Sequence, residues 1–150
     1  MKKNIEIIGK FYDNHSLAII NREVAIRLGD EEVFPNINLT ITPVDQFNSV
    51  YKIKKDHIKK LKELESKESK PDIQIRHTYP PIWRWPVSDK TKIVYIQPWE
   101  YTKIPFEWQY KFEQFADFLV TPSSWSMNNF LDAGLAPHKA AVIPNGYDSN

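Results

Sequence analysis

The sequence contains no cysteine and has almost no net charge. Its 150 residues carry a formal net charge of +1 at pH 7. Without cysteine the chain has neither a disulfide framework nor a thiolate metal site, which fits a reducing compartment. A net charge this small gives no general reason to expect nucleic acid or an anionic membrane as a partner. We therefore expect no nucleic-acid partner.

Long hydrophobic runs are missing as well. The apolar run near the N-terminus, residues 5–9, is far shorter than the core of a signal peptide, and no other stretch is long enough to span a membrane. The chain is nevertheless 41% hydrophobic and 26% charged, which is typical of a globular domain with a real core. We expect one cytoplasmic domain over residues 1–150.

Aromatic residues are abundant by contrast. The chain has five Trp and seven Tyr, and four of the Trp fall between Trp83 and Trp108. Sugars present C–H faces that stack on aromatic rings, so this cluster favours a surface that handles glycans. The alternative interpretation is that the rings build the core and satisfy their polar tips locally.

The apolar runs predict six short strands that alternate with helices. Such an order implies an α/β domain with a mostly parallel sheet. The predicted strands are residues 5–9, 38–42, 72–77, 93–97, 118–121 and 140–143. Helices are predicted at residues 16–28 and 50–67, from Pro105 onward, and from Ser123 or Ser124 to Gly134. In the first helix we expect Leu17, Ile20, Val24 and Leu28 to face the core, with Asn14 or Ser16 as the cap and Gly29 at the end.

Polar and aromatic side chains follow most of these strands directly. Open parallel sheets bind ligands outside the carboxyl ends of their strands. We therefore predict that the ligand-binding residues lie together at this edge of the sheet. The candidates are His15, Ser16, Arg76, His77, Tyr79, Trp99, Glu100, Ser123, Trp125, Asn145 and Gly146.

Glu100 and His77 are the candidates for catalysis. A carboxylate that follows a Pro-Trp turn can accept hydrogen bonds from sugar hydroxyls or assist a proton, and its alternative is a salt bridge with Lys103. His77 is interpreted either as a contact to an acceptor hydroxyl or donor phosphate, or as a structural histidine bonded to backbone. Trp99 is expected to serve acceptor binding and not fold stability.

The remaining candidates are assigned to substrate binding. Arg76 either pairs an anion bidentately or forms a buried structural ion pair. His15 and Ser16 either contact the ligand or cap the first helix. No spacing typical of a metal site occurs, so we expect neither a metal nor another cofactor. The lysine-rich helix over residues 50–67 is interpreted either as a solvated face or as a peripheral contact with an anionic membrane.

Several motifs together resemble the N-terminal domain of the retaining glycosyltransferases of family 4. The motifs are Gly9 followed by Ser16-Leu-Ala and Asn21-Arg-Glu, then Arg76-His-Thr-Tyr-Pro-Pro, Gln97-Pro-Trp-Glu, Thr121-Pro-Ser, and Ile143-Pro-Asn-Gly-Tyr-Asp. The resemblance spans the whole chain and implies the Rossmann-like, three-layer, N-terminal half of a GT-B fold. It also implies that the third strand lies beside the first, with the second strand on the first strand's other side.

The resemblance further implies the chemistry. Enzymes of this family move a sugar from a nucleotide-sugar to an acceptor, with retention and without a metal held by the protein. The acceptor here is a glycan, a lipid-linked group or a protein. The donor-binding C-terminal domain is absent from these residues, so we expect the isolated domain to be weak or inactive and to share the nucleotide-sugar with a second domain or a partner chain.

Two departures from the family pattern are visible. The usual double glycine after the first strand is missing, and Pro98-Trp-Glu stands where the family's usual histidine ends the fourth strand. One rival hypothesis is a non-catalytic glycan- or protein-binding module on the same frame. Another is a nucleotide-dependent epimerase or dehydrogenase, which expects a glycine-rich turn that this chain lacks.

Overall fold

One parallel sheet organises the domain. The computed structural model describes residues 2–48, 50–68, 70–86 and 88–146. Its strands are β1 (Lys3–Gly9), β2 (Ile37–Pro43), β3 (Ile73–His77), β4 (Lys92–Ile96), β5 (Phe118–Thr121) and β6 (Ala140–Val142). Its α-helices are α1 (Ser16–Leu28), α2 (Lys55–Glu65), α3 (Phe106–Phe115) and α4 (Ser124–Asp132), and a short 3-10 helix, Pro137–Lys139, precedes β6. The predicted α/β class is confirmed.

The order of the strands places a switch point between β1 and β3. The sheet runs β2-β1-β3-β4-β5-β6, and all neighbours are parallel. Ile5 is paired with Leu39 on one side and with Ile73 on the other, so the predicted position of the third strand is confirmed. The crevice outside the carboxyl ends of β1 and β3 is therefore where a ligand site is expected in such a sheet.

Helices cover both faces of the sheet, which confirms the three-layer prediction. Registered residues of parallel strands share a face, and successive residues alternate between faces. Ile75 is in register with Val94, so Tyr95 lies on the opposite face from Ile75. One core cluster joins the Ile75 face to α1 and α2, and it contains Ile7, Phe11, Tyr12, Ala25, Leu39, Ile41, Leu61 and Leu64. The other joins the Tyr95 face to α3 and α4, and it contains Ile93, Tyr95, Trp99, Ile104, Phe112, Ala116, Leu119 and Phe130.

Helix α1 has the predicted bounds but a different buried face. The buried side chains are Ala18, Asn21, Arg22 and Ala25, whereas the four predicted apolar positions are only partly buried. Two of those four, Val24 and Leu28, still pack against the first core cluster as predicted. Small side chains let the helix approach the sheet closely, and two polar ones are buried there with partners. The predicted cap was also wrong, because His15 occupies the N-cap position and no side chain caps the helix.

Helix α2 begins later than predicted because Asn48 forms a turn ahead of it. The Asn48 side chain accepts a hydrogen bond from the Val50 N–H, and its carbonyl accepts one from the Tyr51 N–H. Asparagine competes for the backbone in this way and favours turns over helix. Helix α4 follows its sequence signals: Ser123 accepts from the Ser126 N–H at its start, and Gly134 takes a left-handed φ of 99° after its end.

Arg76 is a structural residue, which corrects its assignment to ligand binding. Its side chain is completely buried within the second half of the sheet. The guanidinium donates to Gln74 Oε1 (2.8 Å from Nε and 2.5 Å from Nη2), to the carbonyls of Ile82 and Arg84 (3.0 and 2.7 Å), and to the Tyr95 hydroxyl (3.0 Å). Gln74 in turn donates to Glu6 (2.6 Å). The guanidinium is thus connected to a carboxylate through an amide and has no surface left for a ligand.

Replacing Arg76 should therefore destabilise the fold. Arg76→Met leaves the Gln74 oxygen and the Arg84 carbonyl without a donor, whereas the Ile82 carbonyl keeps the Tyr95 hydroxyl, so the free energy of unfolding should fall by at least about 2 kcal/mol. Urea denaturation measures this change. The control is Arg84→Met, since the Arg84 side chain is exposed and should change stability by less than about 0.5 kcal/mol. Equal effects of the two substitutions would contradict the assignment.

Candidate functional site

An open crevice of about 530 Å³ lies outside the carboxyl ends of β3, β4 and β5, against the start of α1. Most of the predicted site residues line it. These are Ser16, His77, Trp99, Glu100, Ser123, Trp125 and Asn145, joined by Leu17, Ile20, Ile96, Pro98, Pro122, Ser126 and Ile143. Neither Lys nor Arg is among these lining residues. The walls therefore offer hydroxyl, amide, carboxylate and aromatic groups, but no permanent positive charge.

A smaller cavity of about 290 Å³ adjoins the crevice. It is lined by Lys10, His15, Ser16, Leu17, His77, Thr78 and Tyr79. His77 and Ser16 belong to both cavities, so the two form one continuous region. Two predicted residues lie outside it: Arg76 is buried elsewhere, and Gly146 lies next to Asn145 without lining either cavity.

His77 is buried between these cavities and uncharged at neutral pH. Only 2% of its surface is exposed, and its Nδ1 lies 2.7 Å from the Asn21 side-chain oxygen. Burial, and to a smaller extent the neighbouring His15, together lower the pKa of His77 to about 4. The imidazole is therefore a neutral group with a fixed neighbour. The structural interpretation expected the ring to bond to backbone, whereas Nδ1 lies against the side chain of Asn21.

Asn21 was not among the predicted site residues. Its side-chain nitrogen donates to the carbonyls of Lys10 (3.0 Å) and His77 (3.2 Å). A β-carbon on Gly9 would collide with the Asn21 amide and would lie 2.8 Å from the His77 carbonyl. Gly9 is thus required for close approach of α1 and not for a flexible loop. The apolar spacing of α1 concealed Asn21, because the pattern assigned its buried face to other positions.

An internal carboxylate organises the loop between β1 and α1. Asp45 accepts hydrogen bonds from three successive backbone N–H groups, those of Phe11, Tyr12 and Asp13, at 2.8, 2.8 and 2.9 Å. Arg22 donates from the other side to the carbonyls of Phe11 (2.8 Å) and Asp13 (2.6 Å). Successive N–H groups of this kind form an anion-binding nest. Here the nest is filled by the protein's own carboxylate, so these amides are not free to bind a phosphate.

Charges beside the smaller cavity are balanced internally. Asp13 lies 3.3 Å from the Lys10 ammonium and 3.4 Å from His15 Nε2. The backbone N–H of Asn14, followed by Lys10 and His15, holds the pKa of Asp13 below its usual value. The Lys10 ammonium is thus paired with a carboxylate.

Glu100 is exposed at the rim of the crevice. No hydrogen bond or ion pair joins its carboxylate to any residue in the described ranges, and the alternative of a salt bridge with Lys103 is not found there. A carboxylate that is solvated and open to the crevice is available to a ligand. Its assignment as a catalytic group remains a prediction.

Trp99 also lines the crevice, but the expectation that it is independent of fold stability was wrong. It is 7% exposed and packs in the second core cluster, with its ring 5.1 Å from Trp108 and 5.3 Å from Tyr101. The Ser126 hydroxyl accepts from the Trp99 N–H (3.1 Å) and donates to its carbonyl (2.8 Å). Its indole N–H is buried and has no partner among the described residues.

The aromatic cluster divides between core and surface. Trp83 packs against Tyr95 and Phe112 at ring distances of 5.4 and 4.8 Å, so it builds the core. Trp125 is exposed on the crevice wall, as expected for a ligand contact. Trp85 is exposed too, but it stacks on Phe115 beside a different cavity near the start of β4. Within the cluster, the interpretation as core thus applies to Trp83, Trp99 and Trp108, and the ligand interpretation stays open for Trp125, which lies outside the cluster.

Two searches of the described residues add little to this site. No group of three or more His, Asp or Glu side chains in residues 2–48, 50–68, 70–86 and 88–146 could hold a metal ion. Over the same ranges, none of the helices has the length and apolar character needed to cross a membrane.

Comparisons with known proteins agree with this architecture. The sequence model of Glycosyltransferase Family 4 matches residues 57–150. A search of curated proteins finds no match. Among solved structures, the chain is similar to the crystal structure of Anabaena Alr3699/HepE in complex with UDP and glucose, with a TM-score of 0.54 and 13% identity. The similarity covers 97% of this chain and 45% of that chain, so these 150 residues span less than half of HepE.

Removing the Asp45 charge should loosen the loop that it holds. Asp45→Asn keeps the shape but turns an amide N–H₂ toward at least one backbone donor, so stability should fall by roughly 1–3 kcal/mol. Hydrogen exchange of the amides of residues 11–13 should accelerate. The control is Asp132→Asn at the exposed end of α4. Unchanged exchange at residues 11–13 would show that Asp45 does not hold the loop.

Burial of neutral His77 makes stability depend on pH. Its folded pKa of about 4 lies below the ordinary value of 6.5, so the unfolded chain binds the proton first as the pH falls. Above pH 6.5 the buried ring does not lower the stability of the fold. As the pH falls from 6.5 towards 4 the free energy of unfolding decreases, by about 3 kcal/mol in total. His77→Gln should flatten the pH dependence of urea unfolding over this window. His138→Gln, an exposed control, should leave it unchanged, and equal curves for wild type and His77→Gln would refute the account.

Proposed function

The chain belongs to glycosyltransferase family 4, and we propose that it forms the N-terminal, acceptor-side domain of an enzyme with the GT-B architecture. The reaction moves a sugar from a nucleotide-sugar to a hydroxyl group of a glycan, lipid-linked or protein acceptor, with retention. A second half of the enzyme, outside these 150 residues, supplies most of the donor site.

The observation that carries this proposal is the chemistry of the crevice. Its walls combine aromatic rings, such as Trp125, with the hydroxyl of Ser123, the amide of Asn145 and the carboxylate of Glu100. Sugar rings offer C–H faces and many hydroxyl groups, which these side chains complement by stacking and by hydrogen bonding. The crevice lies outside the carboxyl ends of β3, β4 and β5. The adjoining smaller cavity lies at the switch point between β1 and β3, where an open parallel sheet binds its ligands.

The domain is assigned to the acceptor side because the crevice walls offer few groups that could bind the diphosphate of a nucleotide-sugar. A diphosphate is usually held by cations or by free backbone N–H groups at a loop and helix start. The described wall of the crevice has neither Lys nor Arg, and Lys10 of the adjoining cavity is paired with Asp13. Asp45 occupies the N–H groups of residues 11–13. Phosphate binding is therefore assigned mainly to the other half of the enzyme. HepE, whose crystal structure contains UDP and glucose, has more than twice the covered length, which leaves room for such a half.

Glu100 is the group that we assign to the acceptor hydroxyl. Its carboxylate is exposed at the crevice and has no partner among the described residues. From this position it accepts a hydrogen bond from a hydroxyl and assists removal of its proton as that hydroxyl becomes the nucleophile. Pro98 follows β4 by two residues and lines the crevice together with Trp99 and Glu100.

The function is tested by a transfer assay on the complete natural protein. A panel of UDP- and GDP-sugars, starting with UDP-glucose, is combined with mono- and oligosaccharide acceptors, and products are identified by mass spectrometry and by NMR of the new anomeric bond. The proposal expects transfer with retained anomeric configuration. Binding of oligosaccharides without transfer from any donor would instead support the non-catalytic glycan-binding module.

Substituting Glu100 should separate catalysis from folding. In the complete protein, Glu100→Gln should lower turnover by roughly a hundredfold or more, the scale of losing one acid–base group. Stability should change by less than about 0.5 kcal/mol because the side chain is exposed. Glu113→Gln, an exposed carboxylate on α3, is the matched control and should retain activity. A Glu100→Gln enzyme that unfolds more easily but keeps its turnover would contradict the assignment.

A further inference from the structure

The hydrogen-bond partners of Asn21 allow only one orientation of its side-chain amide. Its nitrogen lies 3.0 Å from the carbonyl oxygen of Lys10 and 3.2 Å from that of His77. Carbonyl oxygens only accept hydrogen bonds, so the group that faces them must be the N–H₂. The Asn21 oxygen therefore faces the His77 ring, 2.7 Å from Nδ1.

This orientation determines which ring nitrogen of His77 carries the proton. The Asn21 oxygen has no proton to give, so a hydrogen bond to it requires an N–H at Nδ1. In the neutral ring the other nitrogen, Nε2, then holds an unshared electron pair. Nε2 has no partner among the described residues and is not one of their fully buried unpaired atoms, so it opens toward the cavities that His77 lines.

We propose that Asn21 is a positioning residue that fixes His77 in the Nδ1–H tautomer, so that Nε2 accepts a hydrogen bond from a hydroxyl group of the bound substrate. At the cavity the neutral ring presents only Nε2, which accepts a hydrogen bond. A sugar hydroxyl can donate that bond, whereas a phosphate at neutral pH only accepts hydrogen bonds. The substrate part of this inference rests on the proposed function, whereas the tautomer part does not.

The surroundings of Asn21 and His77 hold the two side chains in place. Asn21 and His77 are each 2% exposed, so solvent does not compete for their contact. Gly9 provides the space, since any β-carbon there would collide with the Asn21 amide. The neighbouring His15 acts on His77 in the direction that opposes a second proton on the ring. Contacts from α1, β1 and β3, with Gly9 at the end of β1, thus favour the same tautomer of His77.

The tautomer is measured directly by long-range ¹H–¹⁵N correlation of the uniformly ¹⁵N-labelled chain at pH 7. In the wild type, Nδ1 of His77 should show the shift of a protonated nitrogen and Nε2 that of an unprotonated one. The opposite pattern, or two protonated nitrogens, would overturn the proposal without any substitution. Because no substrate is needed, this result is independent of the transfer assay.

Two variants test the role of Asn21. Asn21→Ala should reduce the preference for the Nδ1–H tautomer by roughly tenfold, the equivalent of one hydrogen bond. Asn21→Asp should keep the proton on Nδ1 and raise the pKa of His77 by at least about one unit, since a carboxylate favours the charged ring. Asn128→Ala, at an exposed position of α4, is the control. A folded Asn21→Ala with the wild-type tautomer, or an unchanged pKa in Asn21→Asp, would show that Asn21 does not position His77.

The substrate part is tested in the complete natural protein with the transfer assay. Asn21→Ala should lower kcat by roughly tenfold, as expected for one misdirected hydrogen bond, while Asn128→Ala keeps the wild-type rate. An Asn21→Ala enzyme with the wild-type kcat would overturn the assignment of Nε2 to a substrate hydroxyl. Absence of transfer by the wild type would overturn the proposed function together with this part, and the NMR result alone would still decide the tautomer.

Discussion

The site depends on the close contact between α1 and the sheet at Gly9. Only a residue without a side chain lets the Asn21 amide reach the carbonyls that follow β1 and β3. This contact satisfies two buried acceptors, holds the start of the helix against the switch point of the sheet, and aligns His77. A single backbone approach thus connects the packing of the domain to the chemistry at its edge.

In the loop between β1 and α1, the domain's own carboxylate occupies the backbone N–H groups that could bind an anion. A Rossmann-like loop after the first strand often offers its N–H groups to a ligand phosphate. In this chain Asp45 takes those groups, and Arg22 holds the opposite carbonyls. The N–H groups of residues 11–13 are therefore already bonded before any ligand binds. The neighbouring crevice, lined by hydroxyl, amide, carboxylate and aromatic groups, is left to a neutral, hydroxyl-rich ligand.

Much of the fold could be predicted because strands and turns depend on short local patterns. Apolar runs located the six strands, and the position of β3 beside β1 came from the family resemblance, since periodicity does not encode strand order. Convergence at one edge then followed from the parallel sheet. The buried faces were harder. Arg76 lies one residue before a crevice residue, yet alternation along β3 turns it to the opposite face, and sequence position alone does not show which face is enclosed.

The details of the site escaped prediction for a related reason. Asn21 and Asp45 act through backbone groups distant in sequence, and no local pattern records such contacts. Trp99 combines two roles, because the core encloses its ring while one side still borders the crevice. The N-cap of α1 lacks a side-chain bond although two residues suited to capping, Asn14 and Ser16, stand next to it.

The central claim is that the domain binds its substrate at the carboxyl edge of this sheet. Backbone amide shift mapping of the ¹⁵N-labelled chain, titrated with the donor and acceptor identified by transfer, tests it most directly and detects weak binding as well. The account predicts shifts at His77, Glu100, Ser123 and the start of α1, and none around Trp85 and Lys139, which line a cavity elsewhere. Shifts confined to the Trp85 cavity, or an unperturbed crevice at saturating acceptor, would contradict it.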